Sequence, residues 1–379
     1  MLIGANEICL CGSGKKFKKC CRNLIDYKQK LTLDNIDNIS VKIAIEDAYK
    51  KVKKSKCLYP GCEEKAIDSH TIQKGGVLKL LAENDEICHN FINYNNYPFR
   101  KLTEDDINSN FVIHIGENLK VGDSCLTSNL EFFKEHINNV SIFNGFCNKH
   151  DTAVFKDIEF SSVKDITFSN RDKEVFLYCY RLFSYFYKRE EVRIHILRNI
   201  FKSNINCFYN KKSICAIKAD IEAFERLSIE KEYLDNCFRL DDFSIFESNH
   251  AVLNKRVHFC SMSILPLRYE DGKITLSYLF VIPEENKTHI YFCKKKENND
   301  LENTMKNMLV PMNTVTLTNL ILMGKTQIVV TPSKVGPIQE NLNYCKLLFG
   351  SDFFFSNKEL KLHVFENIDK SFGVDLFNL

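Results

Sequence analysis

The stretch NEICLCGSGKKFKKCC, residues 6–21, places four cysteines within thirteen positions around a Gly-Ser-Gly turn and a run of lysines. So short a segment buries too little apolar surface to fold unaided, and something has to staple it. Three chemistries use cysteine or glycine in this way, and the spacing separates them. A phosphate cradle needs a Gly-x-x-x-x-Gly-Lys-Ser/Thr frame between a strand and a helix, and Gly12-Ser13-Gly14-Lys15-Lys16 lacks that frame. A redox pair favours Cys-x-x-Cys beside a βαβ unit, whereas these residues form Cys-x-Cys and an adjacent Cys-Cys pair. A metal clip remains. Cys9 and Cys11 form a tight knuckle, the glycine turn reverses the chain, and Cys20 and Cys21 complete a four-thiolate set of the tetrahedral kind that zinc prefers. Metal binding then supplies the folding free energy that the segment lacks, and the lysines offset the negative charge of the thiolates.

These residues resemble the SEC-C motif, a zinc-binding module found at the C-terminal end of SecA-type translocase ATPases and attached to many other bacterial proteins. The resemblance covers about residues 6–22 and rests on the cysteine spacing and the Gly-Ser-Gly-Lys-Lys-aromatic core. It implies a small interaction platform, since in the translocase the module contacts a chaperone. The ATPase motifs of that translocase do not accompany it.

The rest of the chain has room for further domains. Its 379 residues are 44% hydrophobic, enough for substantial cores, and its net charge is only +3. That balance is uneven, because KKFKKCCR and KKVKKSK concentrate positive charge in the first 56 residues. Lys15, Lys16, Lys18 and Lys19 are therefore candidate contacts to nucleic acid. No apolar run is long enough to span a bilayer, and polar GANE stands where a signal peptide would carry an apolar core. The expectation is a soluble cytoplasmic protein with no membrane partner. In such a compartment the 16 cysteines are not a disulfide framework. Clustered ones suggest metal, and the scattered Cys179, Cys207, Cys215, Cys237, Cys260, Cys293 and Cys345 read as small buried hydrophobes.

The texture of the sequence predicts an α+β protein in four parts. Residues 1–24 form the SEC-C-like zinc module and 25–55 a helical connector. Residues 56–165, broken by YPGC, KGG and HNFINYNNYP, read as a zinc-knuckle, treble-clef-like domain with a β-leaning segment at FVIHIGENLKVGD. Residues 166–379 form a helical plus antiparallel β C-terminal domain. A helix starting near Asn170 or Asp172 carries Val175, Phe176, Cys179, Leu182, Phe183 and Phe186 at helical spacing, and a second spans about 214–237. Two or three antiparallel strands follow, with Asp271-Gly272 as a hairpin turn, then a mixed tail through KTQIVV.

A second constellation lies at CLYPGCEEKAIDSH and FCNKHD. Cys57 and Cys62 straddle a Pro-Gly turn, and Cys147-x-x-His150 has the spacing of a second knuckle, so the four form a Cys3His set. The count is thus two Zn2+ sites. His70 is left over. It is a replacement for one of the four ligands, a functional histidine beside the metal, or a satisfied structural histidine.

The order of these features also resembles the HNH nuclease family: a knuckle, an Asp/His element, then a second knuckle followed by a metal-binding residue. That resemblance implies His70 as the general base, Asp68 as its supporting or metal-binding carboxylate, and Asp151 in the slot of the family's last histidine, with Mg2+ or Mn2+ as the catalytic cation. The middle asparagine would be Asn144, Asn138 or none. The interval from His70 to Cys147 is longer than in a compact unit of that family. Two functions follow as expectations: a zinc-stapled module that binds nucleic acid or a protein partner, or a metal-dependent HNH-like nuclease of the kind used in bacterial defence. The sequence does not fix an oligomeric state.

Overall fold

The computed structural model of the chain describes residues 3–26, 38–89, 132–159, 171–208, 211–268, 274–296, 325–336, 355–356 and 375–378, together with 314, 317, 318 and 321. The Asp271-Gly272 turn, the FVIHIGENLKVGD segment, Asn170 and Cys345 lie outside these residues. The described part is α+β, as the sequence predicts.

Its spine is a single long helix. After α1 (Asn38–Val52), strands β1 (Asp68–His70), β2 (Glu86–His89), β3 (Phe133–His136) and β4 (Ile142–Asn144) lead to α2 (Asn148–Glu159) and α3 (Arg171–Ser203). At 33 residues α3 is about 50 Å long, using a rise of about 1.5 Å per residue. Its sequence divides into two apolar runs separated by the charged Lys188-Arg189-Glu190-Glu191. The first run puts Val175, Phe176, Cys179, Leu182, Phe183 and Phe186 in one core, and the second puts Val192, Ile194, Ile196, Leu197, Ile200 and Phe201 in another. The charged middle is satisfied laterally. Lys188 pairs with Glu191 at 2.6 Å, and Arg193 bridges Glu190 at 2.7 Å and Asp220 of α4 (Lys211–Arg239) at 3.1 Å.

The first core lies against a large sheet. Strands β5 (Phe246–Leu253), β6 (Phe259–Arg268), β7 (Ile274–Pro283), β8 (Thr288–Lys295) and β9 (Lys325–Val330) give, with β2 and β3, the order β3-β2-β9-β6-β7-β8-β5, all neighbours antiparallel. A further short strand, β10 (Phe355–Ser356), runs parallel to the end of β6. The sheet exceeds the two or three strands expected because distant segments join it. β2 and β3 come from the knuckle region and β9 from far downstream, and only long-range pairing reveals them. The other scattered cysteines behave as expected where described, with Cys179, Cys237, Cys260 and Cys293 buried, but Cys215 is exposed on α4.

The second core joins the N-terminal module to the helices. Cys9, Phe17 and Cys21 pack with Ala44, Ile45, Ala48, Tyr49 and Val52 of α1 and with the second half of α3. Burial of Ala44, Ile45, Ala48, Tyr49 and Val52 follows the i, i+4, i+8 stripe of an amphipathic helix, which leaves Ile43 exposed. Among the described residues, no helix is long and apolar enough to cross a membrane.

Candidate metal centres and the His70 strand

In the first centre the sulfurs are assembled by backbone hydrogen bonds. The chain folds back so that Ile8 bridges Lys16, Cys9 N–H donates to Lys15 O at 2.9 Å, and Phe17 N–H donates to Glu7 O at 2.8 Å. Gly12 and Gly14 sit at φ +77° and +70°, the left-handed region in which side chains are strained, so both glycines are needed for the reversal. The turn brings Cys11 Sγ to 3.5 Å from Cys20 Sγ, and Cys20 Sγ to 3.9 Å from Cys21 Sγ. The ligand atoms of Cys9, Cys11, Cys20 and Cys21 all lie within 4.8 Å of one another.

The electrostatics call for a cation. Burial raises the thiols of Cys9 and Cys21, and neighbouring sulfurs push Cys21 up further. Burial also acts upward on Cys11, but hydrogen bonds from Ser13, Cys9 and Cys20 outweigh it and bring it down to about 7. The sulfurs of Cys9, Cys11 and Cys21 thus compete for negative charge, and a cation among them removes the competition. A set of four thiols on one point is the donor chemistry of a structural zinc site.

Residues 6–23 match the SEC-C motif. No curated protein and no solved structure matches the chain. The SEC-C module is not a tethered appendage here. Phe17 is buried in the second core, Glu7 pairs with Lys218 of α4 at 2.7 Å, and Gly12 lies against the side chain of Arg198 on α3. Lys15, Lys16, Lys18 and Lys19 remain exposed on its outer side.

The second centre gathers Cys57, Cys62, Cys147 and His150, again with all ligand atoms within 4.8 Å of one another. Cys147 Sγ is 3.2 Å from His150 Nδ1, and Cys62 Sγ is 3.9 Å from Cys147 Sγ. Cys147 and His150 are brought together by the start of α2, and Cys57 and Cys62 by the Pro60-Gly61 turn, where Gly61 takes φ +76°. Burial pushes Cys57 up to about 12, so this thiol too would ionise only against a cation.

Three supports of this centre carry no signal in the sequence. Tyr59 N–H points at Cys57 Sγ at 3.4 Å, and the Tyr59 ring stacks on His150 with centroids 3.9 Å apart. The knuckle is held from behind by Lys231 of α4, whose Nζ donates to Leu58 O at 2.9 Å and to Asp235 Oδ1 at 2.5 Å. Tyr180 of α3 donates its hydroxyl to the same Asp235 oxygen at 2.8 Å. Tyr59 lies within the knuckle itself, whereas Lys231, Asp235 and Tyr180 are remote in sequence, and only the packing of α3 and α4 brings them to it.

His70 is not a ligand of either centre. It lies on β1, which pairs antiparallel with β4 in the register Asp68↔Asn144, Ser69↔Phe143 and His70↔Ile142. Its Nδ1 is 3.0 Å from the Val140 carbonyl, which can only accept, so Nδ1 is the donor and neutral His70 keeps Nε2 as an acceptor. Burial depresses His70 to about 4, against the Val140 hydrogen bond and helped by Arg181 and Lys74. The imidazole is therefore neutral at pH 7.

The carboxylates expected beside it are placed separately. Asp68 is exposed and accepts from Asn144 Nδ2 at 2.7 Å. Asp151, in the first turn of α2, faces the hydroxyl of Ser69, and burial raises its carboxyl against the pull of Arg181 and Ser69. Side chains alternate along β1, so Asp68 and His70 share one face of the strand and Ser69, with Asp151, the other. Asp68, His70 and Asp151 do not converge as a third group of ligand atoms among the described residues.

Proposed function

We propose that the protein is a zinc-stapled nucleic-acid-binding protein, in which two Zn2+ ions hold the Cys9/Cys11/Cys20/Cys21 and Cys57/Cys62/Cys147/His150 sets and the SEC-C module presents lysines to phosphate. One observation carries the reading. Lys15, Lys16, Lys18 and Lys19 are all exposed on a turn fixed by the cysteine cluster, and none forms an ion pair among the described residues. Charges without protein partners, held on a docked module, suit the phosphate backbone, whose binding is sequence-independent and releases counterions.

Fluorescence anisotropy with labelled DNA and RNA across a salt series tests it. Four lysine–phosphate contacts give a log–log salt slope of about −3 to −4. Replacing the four lysines by glutamine should abolish most of that slope. Binding that ignores salt, or survives the replacement, would assign the module to a protein partner instead.

A second reading, HNH-like hydrolysis, is favoured by the state of His70: Nδ1 anchored on a carbonyl, and a neutral ring with Nε2 available to take a proton from water. Asp151 has a buried, unpartnered Oδ1, which suits a hard cation such as Mg2+ or Mn2+. That cation would supply charge stabilisation at a phosphodiester. The separation of Asp151 from Asp68 ranks this reading second. If neither DNA nor RNA is cut in either cation, or if cutting survives His70→Ala, it fails.

A further inference from the structure

The two lysine-rich stretches are far apart in sequence, yet they end on the same turn of α3. The module reaches it through Gly12, where an added Cβ would sit 2.8 Å from Arg198 Cδ, so the Arg198 side chain lies directly across the glycine turn. α1 reaches it through Lys51, whose Nζ is 3.5 Å from His195 Nδ1. His195 and Arg198 are three apart on α3 and therefore neighbours on one face. The local field agrees with this placement. His195 is depressed first by burial and then by Lys51, with Arg198 and Lys188 adding to the effect against Glu191.

Three acidic groups nearby are already engaged. Glu191 pairs with Lys188 at 2.6 Å and stands 4.0 Å from His195, Asp47 sits 3.6 Å from Lys50, and Glu7 is held by Lys218. Lys15, Lys16 and Lys54 are exposed and make no ion pair among the described residues, and the buried Nε of Arg198 has no hydrogen-bond partner.

We propose that Lys15 and Lys16 of the SEC-C module, Lys51 at the end of α1, Lys54 in the turn just beyond it, and Arg198 between them form one continuous basic face that binds the phosphate backbone of a nucleic acid. The proposal rests on the nucleic-acid reading of the module and extends it. The binding surface is not the module alone but a two-sided ridge, with α3 fixing the spacing of its sides. The second core holds both sides rigidly, because Cys9, Phe17 and Cys21 pack in the same cluster as Ala48, Tyr49 and Val52. Phosphate groups spread along a strand suit charges spread over two elements better than one acidic side chain would. An acidic peptide, footed on the exposed Ile8 beside Lys16, is the competing occupant.

The test uses the full-length, metal-loaded chain and measures anisotropy of a fluorescein-labelled 20-nucleotide single strand and the corresponding duplex at several salt concentrations. Three double variants are compared: Lys15→Gln/Lys16→Gln, Lys51→Gln/Lys54→Gln, and Lys65→Gln/Lys79→Gln as exposed lysines elsewhere. Each of the first two pairs should flatten the log–log salt slope by about 1.4 on the single strand and about 1.8 on the duplex, and the third should leave it unchanged. All six lysines are exposed, so circular dichroism and metal content should stay at wild-type values. If the module pair weakens binding and the α1 pair does not, the face ends at the module and the proposal is overturned while the module reading stands. If neither pair matters, or the chain binds polyglutamate and no nucleic acid, both fall.

Discussion

Replacing Lys231 tests whether the second metal centre is held by the C-terminal helices. Lys231 and Asp235 lie one turn apart on α4, with side chains only 9% and 15% exposed, and the Lys231 ammonium also caps the Leu58 carbonyl. An exposed pair of this kind would contribute at most about 1 kcal/mol. Removing one partner of a buried pair costs about 3–5 kcal/mol, because the other charge is left uncompensated. Lys231→Met would leave the Asp235 carboxylate with the Tyr180 hydroxyl, which already stands 3.4 Å from the Leu58 carbonyl. The expected loss is therefore about 3 kcal/mol or more by urea denaturation, a large part of the 5–15 kcal/mol typical of folded proteins. Lys231→Met/Asp235→Leu removes the stranded charge and should recover most of the loss. Since Leu58 adjoins Cys57, a chromophoric chelator should strip one of two metal equivalents faster from the single variant and leave the other at the wild-type rate. A single variant within 1 kcal/mol of wild type, or a double variant no better than the single, would refute the coupling.

Other outcomes follow from the same geometry. Metal analysis should find two equivalents, and chelation should lower the melting temperature by loosening the second core as well as the SEC-C module, whose Cys9 and Cys21 are part of it. Gly12→Ala should destabilise more than Gly14→Ala: both carry the left-handed strain of about 1–2 kcal/mol, but only Gly12 has a neighbour, Arg198, in the space of the new Cβ. Gly145→Ala should be worse still, since its Cβ would fall 2.2 Å from Phe143 Cε2. His70 is depressed to about 4 in the folded chain, so the unfolded chain binds its proton first. Stability should fall as pH drops from about 6.5 towards 4 and should be indifferent to His70 above that window, with the slope reduced in His70→Asn and metal content followed in parallel.

What the sequence made legible was local. The cysteine spacings name both ligand sets, because a metal knuckle is a short-range device whose turn residues, Gly12, Gly14 and Gly61, must sit next to the ligands. The helical stripes of α1 and α3 are equally visible, because burial at a 3.6-residue period is written into contiguous sequence. The strand pairs β2–β3 and β2–β9 are not visible, since their partners are separated by long intervals and no periodicity links them. The mutual placement of Asp68, His70 and Asp151 failed to be legible for a different reason. Strand alternation sends Asp68 and His70 to one side of β1 and Ser69, which Asp151 faces, to the other, and order along the chain does not record that parity.

The way the SEC-C module is attached changes what its metal is for. A module on a flexible tether would fold and unfold without consequence for the rest of the chain. Here Phe17 and Cys21 are buried among residues of α1 and α3, so a metal held by the four cysteines would complete a wall of the second core. α3 then continues into the first core and meets the second metal centre through Tyr180. One long helix thus joins the lysine-bearing cysteine cluster at one end to the Cys57/Cys62/Cys147/His150 cluster and the His70 strand at the other. A helix of that length transmits position rather than flexibility. A strand of nucleic acid seated on the basic face would therefore be held at a fixed distance from His70, and a substitution that breaks α3 between its two apolar runs, such as Glu190→Pro, should separate binding at one end from any chemistry at the other.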